Sequence, residues 1–514
     1  MSVLNKPGQR LGTERRLPKR ESAVAHVVGL SLTLCGAGTI LSALVEQLGG
    51  GPHALVYVVS GLLASVPGFA LWNRTRAPER IPAATIFAAV LFGWIAFCIA
   101  ATIPYLASDT FVRVDLALFE AVSGFTTTAA TVLRSVENAS PGLLFWRATT
   151  QWIGGIAVMV FAVSVLPFLG VGGMELVRSS TAGPAAERLG GRIRTTARRL
   201  IPLYLGFTLL VAVAYVGFGM TVFDGVTHAF TTVSTGGLST HDASFAHFDS
   251  APLEWIAVVA MLVAGGSFAL YWRAIRGKPI VIFRSAEFRA YLVVTALFCA
   301  AAIAWTSDGG LDADVVRRTI FTTVSMTTTT GYRMLDYNTW VPAVQLLFIF
   351  GVGLGGMAGS AAGGFKVFRL LAVLAYARRQ LFTQLHPKAV NVIRLGRDIV
   401  PDVVVTRIVG FFGLFMAAGG AATLVVAALG SDVRTAISVV ASAIGNVGPG
   451  LGLAGPMRSF ADFDAWTRGV LMIVMLVGRL DVIPVLLGLV PLARFVSDRL
   501  PGTGSNKLVR LLRG

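Results

Sequence analysis

The sequence FTTVSTGGLST at residues 230–240 joins two long apolar segments, and it combines hydroxyl side chains with a glycine pair. Three other stretches have the same character: FTTTAATV (125–132), TTTTGY (327–332) and GNVGPGLG (445–452). Each follows a short amphipathic segment and precedes another long apolar one. Irregular backbone at membrane depth persists only where it is buried in protein or lines water. The fourfold recurrence therefore predicts a pore built from four loops.

The composition places the chain in a membrane. Of its 514 residues, 55% are hydrophobic and 13% are charged, whereas soluble domains carry about 25% charged residues. A formal net charge of +17 in a soluble protein would suggest nucleic acid as a partner. Here the basic residues cluster in short links between apolar spans, which is typical of orientation in a membrane. We expect a lipid bilayer and no nucleic acid as partners.

Apolar runs of about 20 residues predict membrane-crossing helices. The chain is predicted to contain ten full spans and four re-entrant loops, with the return spans of the last three repeats at 253–272, 341–375 and 466–495. The basic links at 175–199 and 378–397 are predicted to be cytoplasmic, as are both termini. All four loops then lie on the outer side of the membrane.

The predicted fold class is an all-α polytopic membrane protein. It has an N-terminal two-helix hairpin and four span–loop–span repeats in a pseudo-fourfold arrangement. The predicted divisions are a cytoplasmic tail (1–22), the transmembrane hairpin (23–81), pore repeats one (82–199), two (200–284), three (285–400) and four (401–496), and a second cytoplasmic tail (497–514).

The loops are suited to a monovalent cation. A ring of backbone carbonyl oxygens can replace the hydration shell of such an ion, and threonine and serine hydroxyls add further oxygen ligands. Glycine permits backbone angles that direct a carbonyl inward. The partially negative C-terminal ends of the short helices would face the cavity. A membrane enzyme is disfavoured, because the spans supply no nucleophile–base pair or metal cluster, and no covalent cofactor is expected.

Motifs along nearly the whole chain resemble one transporter superfamily. Aligned on the loop centres, the repeats read VSGFTTTA to Ala129, AFTTVSTG to Gly236, VSMTTTTG to Gly331 and ASAIGNVG to Gly448. Further motifs are FWRATTQWIGG (145–155), GLGGMAGSAAGGFKVFR (353–369), NVGPGLG (446–452) and VGRLD (477–481). Together they resemble the Trk/Ktr/HKT superfamily of potassium transporters, most closely its TrkH-type membrane subunits.

The resemblance implies potassium uptake through a selectivity filter with one glycine from each repeat, and K⁺ as the bound ion. Gly236, Gly331 and Gly448 would be filter glycines. The neighbours that would supply the adjoining filter backbone are Thr127, Thr128, Ser234, Thr235, Thr329, Thr330, Asn446 and Val447.

The resemblance also implies that a glycine-rich loop below the filter, in the third repeat, gates the flux. Arg479 would lie near the permeation path. From the residues alone, Arg479 either has a function or pairs with Asp481 or a neighbouring helix. Lys366 is either part of the gate or a cytoplasmic anchor whose side chain snorkels. The residues assigned to the gate loop are Gly355, Gly356, Gly359, Ser360, Gly363 and Gly364, with Lys366 just beyond.

The resemblance further implies a homodimer in a bacterial-type inner (plasma) membrane. TrkH-type subunits work with a cytosolic ring of nucleotide-binding regulatory subunits of the TrkA type. The basic links at 188–199 and 378–397 are candidate docking surfaces for such a partner. They are equally consistent with ordinary positive charge on the cytoplasmic side.

Ala129 departs from the potassium-selective pattern, which has glycine at this place. In the plant branch of the superfamily, serine here accompanies sodium preference. A methyl group restricts positive φ angles, so Na⁺ or unselective monovalent-cation permeation stays as the alternative function.

Two further groups of polar residues carry expectations. His241 and His247, just outside the second loop, either tune the filter or are solvated loop residues. Glu120, Asp224 and Asp432 lie near the starts of the short helices and are expected to cap them.

Overall fold

The computed structural model describes residues 20–78, 81–165, 189–277, 279–306, 312–389, 391–396 and 398–499. Most of the two predicted tails (1–22 and 497–514) and residues 175–188 of the first basic link lie outside the described residues.

The described chain is built from helices. The N-terminal hairpin consists of α1 (Ala23–Leu48) and α2 (Ala54–Arg74). The helices that follow are α3 (Ala83–Ala107), α4 (Val114–Phe125), α5 (Pro141–Ser164), α6 (Leu189–Gly217), α7 (Val222–Val233), α8 (Ala251–Ala264), α9 (Phe268–Ile275), α10 (Ile280–Arg284), α11 (Ala286–Thr306), α12 (Ala313–Thr327), α13 (Pro342–Leu354), α14 (Val367–Leu385), α15 (Asp402–Ala428), α16 (Val433–Gly445), α17 (Ala465–Leu480) and α18 (Val482–Arg499).

Four two-residue strands form small clasps between chain segments. The parallel pair β1 (Arg20–Glu21) and β2 (Thr75–Arg76) closes the ends of the hairpin, and the antiparallel pair β3 (Arg394–Leu395) and β4 (Asp398–Ile399) lies between α14 and α15. Within the hairpin the helices meet through small residues. A Cβ at Gly36 would lie 2.3 Å from the carbonyl oxygen of Gly61. Small residues allow this backbone approach, which is a common basis of helix association in lipid.

A half-length helix followed by a buried loop occurs four times, at α4, α7, α12 and α16. Asp432 caps α16 as predicted, because its side chain accepts a hydrogen bond from the Thr435 N–H. At α7 the cap is Thr221, and Asp224 lies in the first turn. The capping prediction is wrong for Glu120, which lies in the second half of α4 and binds other groups.

Many apolar side chains lie on the outer surface of the fold, in addition to those buried in its core. Apolar side chains of the leading helices point outward, as at Leu209 (67% exposed), Leu297 (63%) and Leu424 (74%). The hydroxyl-rich loops lie inside, and Thr127 and Thr329 are fully buried. This arrangement suits lipid as the surrounding solvent, since irregular backbone must be enclosed by protein.

The predicted return spans differ from the structure at two places. Among the described residues, six helices are long and apolar enough to cross a membrane, or up to eight if each bent pair counts as one span. The segments predicted as single spans at 253–272 and 466–495 are instead bent by 94° between α8 and α9 and by 106° between α17 and α18. The bend between α17 and α18 occurs at Asp481, whose φ of +66° is incompatible with a right-handed helix.

The third return segment is also interrupted, between α13 and α14. All three breaks meet. The Met357 N–H donates to the Gly265 carbonyl at the α8–α9 break (2.8 Å), and an Arg479 N–H next to the α17–α18 break donates to the Ala361 carbonyl (2.9 Å). Backbone groups released by the breaks thus find partners in neighbouring breaks, which is how irregular backbone is tolerated inside a membrane protein.

Candidate functional site

The four loops share one backbone pattern. In each of them, two residues with positive φ are separated by a single residue. These pairs are Thr127 and Ala129 (53° and 56°), Thr235 and Gly237 (52° and 71°), Thr329 and Gly331 (59° and 80°), and Asn446 and Gly448 (54° and 103°). The pattern identifies equivalent positions in the loops independently of their side chains.

Hydrogen bonds confirm the same equivalence. The residue between each positive-φ pair donates its N–H to the carbonyl five residues earlier, which closes the end of the short helix in the manner of a Schellman motif. These bonds are Thr128 to Ser123 (2.9 Å), Gly236 to Thr231 (2.7 Å), Thr330 to Ser325 (2.8 Å) and Val447 to Ser442 (3.0 Å).

The sequence alignment of the second loop is therefore wrong by one residue. Gly237, not Gly236, is equivalent to Gly331 and Gly448, and Gly236 takes the place that Thr128 has in the first loop. Ser234 is correspondingly the residue that caps the end of α7. Gly236 and Gly237 can both adopt positive φ angles, so the sequence alone did not show which of them occupies the equivalent position. All residues predicted for the filter are buried, whichever register is used.

The second and third loops each contact the next loop in chain order, and the fourth loop contacts the first. A Cβ at Gly237 would lie 1.9 Å from the Thr330 carbonyl oxygen, and one at Gly331 would lie 2.0 Å from that of Val447. A Cβ at Gly448 would lie 2.1 Å from the carbonyl oxygen of Thr128. The fourth loop therefore closes on the first, and the loops surround a common axis. At these three interfaces a side chain in place of glycine would have to displace a carbonyl group.

The interface between the first and second loops is different. Ala129 occupies the glycine position, and Gln151 of α5 holds the second loop by both ends of its side-chain amide. Its Nε2 donates to the Gly236 carbonyl oxygen (2.7 Å), and its Oε1 accepts from the Leu238 N–H (3.2 Å). A Cβ at Gly236 would lie 2.3 Å from Gln151 Oε1. The glutamine thus fills the space left by the missing side chain at Gly236.

This bond makes one carbonyl chemically distinct from its three equivalents. Within the part of the chain that the structure describes, the carbonyl oxygens of Thr128, Thr330 and Val447 accept no hydrogen bond. The Gly236 carbonyl oxygen accepts one from Gln151. An oxygen that already accepts a bond from an amide has less capacity to replace water around a cation.

A buried ion pair connects α4, α5 and the first two loops. Arg147 Nε donates to Glu120 Oε1 at 2.8 Å, and both side chains are almost fully buried. Glu120 also accepts from the Val132 N–H (2.9 Å), and Arg147 reaches the Ser239 carbonyl of the second loop (3.4 Å). Such additional bonds are what a buried ion pair needs to offset its desolvation.

The sequence did not predict that Glu120 forms a buried ion pair with Arg147. It also did not identify Arg147 or Gln151 as candidate site residues. Arg147 and Gln151 are one helical turn apart in the motif FWRATTQWIGG, so they lie on the same face of α5. Their position could have identified them, because polar side chains within an apolar span usually face the protein interior and have a function.

Contacts between the other loops come from side chains of the loops themselves. The Tyr332 hydroxyl lies 2.7 Å from the Thr231 hydroxyl and 2.8 Å from that of Thr232, which joins the third loop to α7. Asn446 Nδ2 donates to the Thr128 hydroxyl (3.1 Å), which joins the fourth loop to the first.

The predicted gate residues lie together in the buried segment between α13 and α14. This segment folds back on the end of α13, where the Phe365 N–H donates to the Gly353 carbonyl (2.9 Å). It also contacts the filter loops directly. The Gly363 N–H donates to the Thr329 hydroxyl (2.7 Å), and a Cβ at Gly363 would lie 2.3 Å from the Gly445 carbonyl oxygen. The segment therefore packs against the inner ends of the third and fourth loops.

Arg479 and Lys366 both bind the backbone of this segment. Arg479 donates to the Ala361 carbonyl, as described above, and Lys366 Nζ donates to the Ala362 carbonyl. The Lys366 side chain thus turns back toward the loop, and the snorkelling interpretation is wrong. Pairing of Arg479 with Asp481 is not observed, because Asp481 binds Arg369 through two bonds of 2.9 and 2.6 Å; Arg479 binds the neighbouring segment at Ala361 instead.

The remaining donors of Arg479 make it a functional candidate. Its Nε and Nη2 atoms are buried and have no hydrogen-bond partner among the described residues. Unsatisfied buried donors are rare and costly, and a charged group with such donors inside a membrane usually serves a function.

Helices with apolar outer surfaces around buried loops rich in carbonyl and hydroxyl oxygens define a membrane transport protein for cations. The family model for TrkH, described as a cation transport protein, matches residues 55–300 and 311–497. The chain belongs to the TrkH family, which confirms the family suggested by its motifs. It is a multi-pass transporter and not an enzyme.

Several relatives cover most of the chain. It is 33% identical over 479 residues to the Trk system potassium uptake protein TrkH of Vibrio parahaemolyticus, covering 91% of this chain and 98% of that protein. It is 34% identical over 474 residues to TrkI of Halomonas elongata, covering 91% and 95%. It is 31% identical over 477 residues to TrkH of Escherichia coli strain K12, covering 91% and 98%.

A solved structure supports the all-α membrane fold. The crystal structure of the potassium transporter TrkH from Vibrio parahaemolyticus matches with a TM-score of 0.82 at 32% sequence identity. The match covers 90% of this chain and 97% of that chain.

Proposed function

We propose that this protein mediates potassium uptake through a pore surrounded by its four loops. The observation that carries the proposal is the closed order of contacts, in which Gly237, Gly331 and Gly448 each face a carbonyl of the next loop. Carbonyls gathered around one axis can take the place of water around K⁺. The names of the relatives, which are potassium uptake proteins, support the choice of ion.

The filter consists of the predicted residues with one change of register. Its positive-φ positions are Ala129, Gly237, Gly331 and Gly448. The carbonyl oxygens that line the pathway belong to Thr128, Gly236, Thr330 and Val447. The four short helices point their C-terminal ends toward the same region, and their partial negative charge favours a cation in the cavity. No acidic side chain is required at the ion site.

The segment between α13 and α14 acts as the gate beneath this filter. It is held closed by the bond from Gly363 to Thr329 and by Arg479, whose guanidinium adds positive charge to the path of a cation. Opening moves the segment away from the inner ends of the loops and withdraws Arg479. The flexible backbone of its glycines permits this movement.

The membrane is the inner (plasma) membrane, with both termini and the basic links in the cytoplasm. The protein works as a homodimer with a cytosolic nucleotide-binding regulatory subunit. Basic residues at 188–199 and 378–397 are the docking surface for that subunit. Reversing the charge of Arg378 and Arg379 is expected to abolish co-purification with it, and unchanged co-purification would contradict this surface.

A second candidate function is Na⁺ or unselective monovalent-cation permeation. It is favoured by the interface between the first two loops, where Ala129 replaces glycine and the Gly236 carbonyl is bound by Gln151. A ring with one weakened oxygen replaces the hydration shell less completely. Such a ring distinguishes K⁺ from Na⁺ less strongly.

Flux into proteoliposomes separates the two functions. The native protein and Ala129→Gly are compared under a K⁺ gradient and then under an equal Na⁺ gradient, with protein-free liposomes as the background. We expect native K⁺ flux well above both Na⁺ flux and background. Equal fluxes of the two ions in the native protein, with K⁺ preference restored in Ala129→Gly, would establish the second function. Absence of K⁺ flux in both proteins would overturn the pore itself.

A further inference from the structure

Three metal-ligating side chains from two repeats meet at the outer end of the second loop. They are His241 and His247, which follow that loop, and Glu137, which follows the first loop. One potential ligand atom from each lies within 4.8 Å of the others. We propose that these residues form a binding site for a transition-metal dication of the Zn²⁺ class, separate from the site for the transported ion.

The two histidines are arranged as a pair. Their rings are parallel to within 4°, and their centroids are 3.5 Å apart. Phe248 contacts both rings edge-on, at 5.4 Å from His241 and 5.3 Å from His247.

A second carboxylate, that of Asp224, lies next to His241 without forming a hydrogen bond to its ring. The Nε2 atom lies 3.3 Å from Asp224 Oδ1, and the Nδ1 atom lies 3.9 Å from Glu137 Oε1. Asp224 is itself held by the Thr240 hydroxyl at 2.6 Å. A carboxylate beside one ring nitrogen favours the proton on that nitrogen and leaves the other nitrogen to the metal. His241 Nδ1 and Glu137 are therefore ligands on the same side.

The backbone on either side of the site is already fixed. Asp242, adjacent to His241, accepts hydrogen bonds from the Val136 N–H (2.5 Å) and the Ser135 hydroxyl (3.0 Å), immediately before Glu137. A metal is bound in the plane of an imidazole ring, so the two stacked rings must rotate out of their parallel arrangement to share one ion. The distance to be closed is small, because ligand atoms around tetrahedral zinc are separated by about 3.4 Å.

The ligand set selects the class of metal. Two imidazole nitrogens and one carboxylate oxygen suit Zn²⁺, Co²⁺ or Ni²⁺, with a water at the fourth position. Mg²⁺ and Ca²⁺ prefer sites made entirely of oxygen ligands. Because Glu137 belongs to the first repeat and both histidines belong to the second, a bound metal bridges the two loops at the mouth of the pathway. Its double positive charge opposes entry of K⁺, so metal binding inhibits uptake.

Metal binding to the purified full-length protein tests the site. Co²⁺ absorption in the visible range reports tetrahedral coordination, and Zn²⁺ titration gives the affinity. We expect the native protein to bind both metals and His247→Ala to lose at least tenfold in affinity, with Glu137→Gln weakened in the same direction. The matched control is His53→Ala, a histidine in the turn between α1 and α2. No binding by the native protein, or equal binding by His247→Ala, would overturn the site.

Flux measurements test the inhibition and keep it separate from the proposed function. Zn²⁺ added outside proteoliposomes is expected to reduce native K⁺ uptake, and a chelator should restore it, whereas His247→Ala should be insensitive. Retained K⁺ uptake by His247→Ala without metal shows that the variant is folded and that the pore works. Unchanged native uptake at saturating Zn²⁺ would overturn the inhibitory role.

Discussion

The interface between the first and second loops differs from the other three interfaces of the ring. At the others, glycine faces a carbonyl of the next loop. At this interface, Ala129 of the first loop takes the place of the glycine. Gly236 of the second loop takes the place that Thr128 has in the first, and its carbonyl accepts a hydrogen bond from the Gln151 amide. Compared with the other loops, the first loop has an additional methyl group at Ala129, and the second loop lacks a side chain at Gly236. A helix of the first repeat supplies the polar group that fills the space.

The comparison shows that equal backbone geometry does not require equal chemistry. The φ angles and the closing hydrogen bonds are alike in all four loops. The environment of the carbonyl oxygens is not. The Ala129 methyl group lies beside the glycines of the third and fourth loops, 3.1 Å from a Cβ built at Gly331 and 2.9 Å from one built at Gly448. Four sets of variants test this difference between the interfaces.

The largest effect is expected from adding a methyl group at an ordinary interface. In Gly448→Ala the new Cβ would lie 2.1 Å from the Thr128 carbonyl oxygen, at a residue whose φ is +103°. Carbonyl displacement and backbone strain together cost several kcal/mol, about 1–3 of it from the strain. We expect K⁺ flux to fall at least 100-fold. The control is Gly413→Ala on α15, where a Cβ meets nothing within 4 Å. Equal flux in both variants would contradict the ring of close contacts.

A smaller effect is expected from removing the amide at the unusual interface. Gln151→Leu keeps the volume but leaves the Leu238 N–H and the Gly236 carbonyl without their partner. An unsatisfied buried group costs about 1–3 kcal/mol, so thermal stability should fall. The ratio of K⁺ to Na⁺ flux should also change, because the Gly236 carbonyl is released. Gln151→Glu, which keeps the acceptor but loses the donor, separates the two bonds. A stability loss with an unaltered flux ratio would reduce Gln151 to a structural role.

The paired variant Gly236→Thr with Gln151→Ala rebuilds the second loop on the pattern of the third. Gly236→Thr alone places a side chain where Gln151 Oε1 now lies, and Gln151→Ala alone leaves a cavity. The two changes should compensate, with a coupling energy of about 0.5–3 kcal/mol, as for other residues in contact. A double-mutant cycle on the melting temperature measures this coupling. Additive losses would show that the glutamine does not replace the missing side chain.

The smallest effect is expected at the bond between the third loop and the segment proposed as the gate. Thr329→Val preserves shape but removes the hydroxyl that accepts from the Gly363 N–H. Losing this bond costs about 1 kcal/mol, which shifts a gate equilibrium about fivefold. We expect a corresponding rise in basal K⁺ flux. Thr235→Val is the matched control, because Thr235 has the equivalent position in the second loop and donates locally to the Ser234 carbonyl. A similar rise in both variants would contradict a specific link.

The general plan of the protein was predictable because it depends on local patterns. Long apolar runs indicated lipid, and four hydroxyl- and glycine-rich stretches indicated the buried loops. The motifs indicated the family. The start of α16 was predicted from Asp432, which caps it. The loop between α13 and α14 was predicted from the resemblance to the TrkH-type subunits, whereas apolarity alone indicated one continuous span at 341–375.

The prediction failed where two segments distant in sequence decide the outcome. Gln151 and Gly236 are 85 residues apart, and Arg479 and Ala361 are 118 residues apart. Asp481 is the acidic residue nearest to Arg479 in the sequence, but in the folded protein its carboxylate accepts hydrogen bonds from Arg369. The bends after α8 and α17 were missed because the flanking segments are apolar enough to look like continuous spans.

The sequence by itself determined the class of protein, the number of loops and the chemical character of the pathway, because hydrophobicity and residue type act locally. Only the tertiary structure decided which of two adjacent glycines joins the ring and which side chain binds each buried carbonyl. The physical reason is that both glycines tolerate positive φ equally well. The choice between them is made by contacts with α5 and the third loop, which exist only after folding.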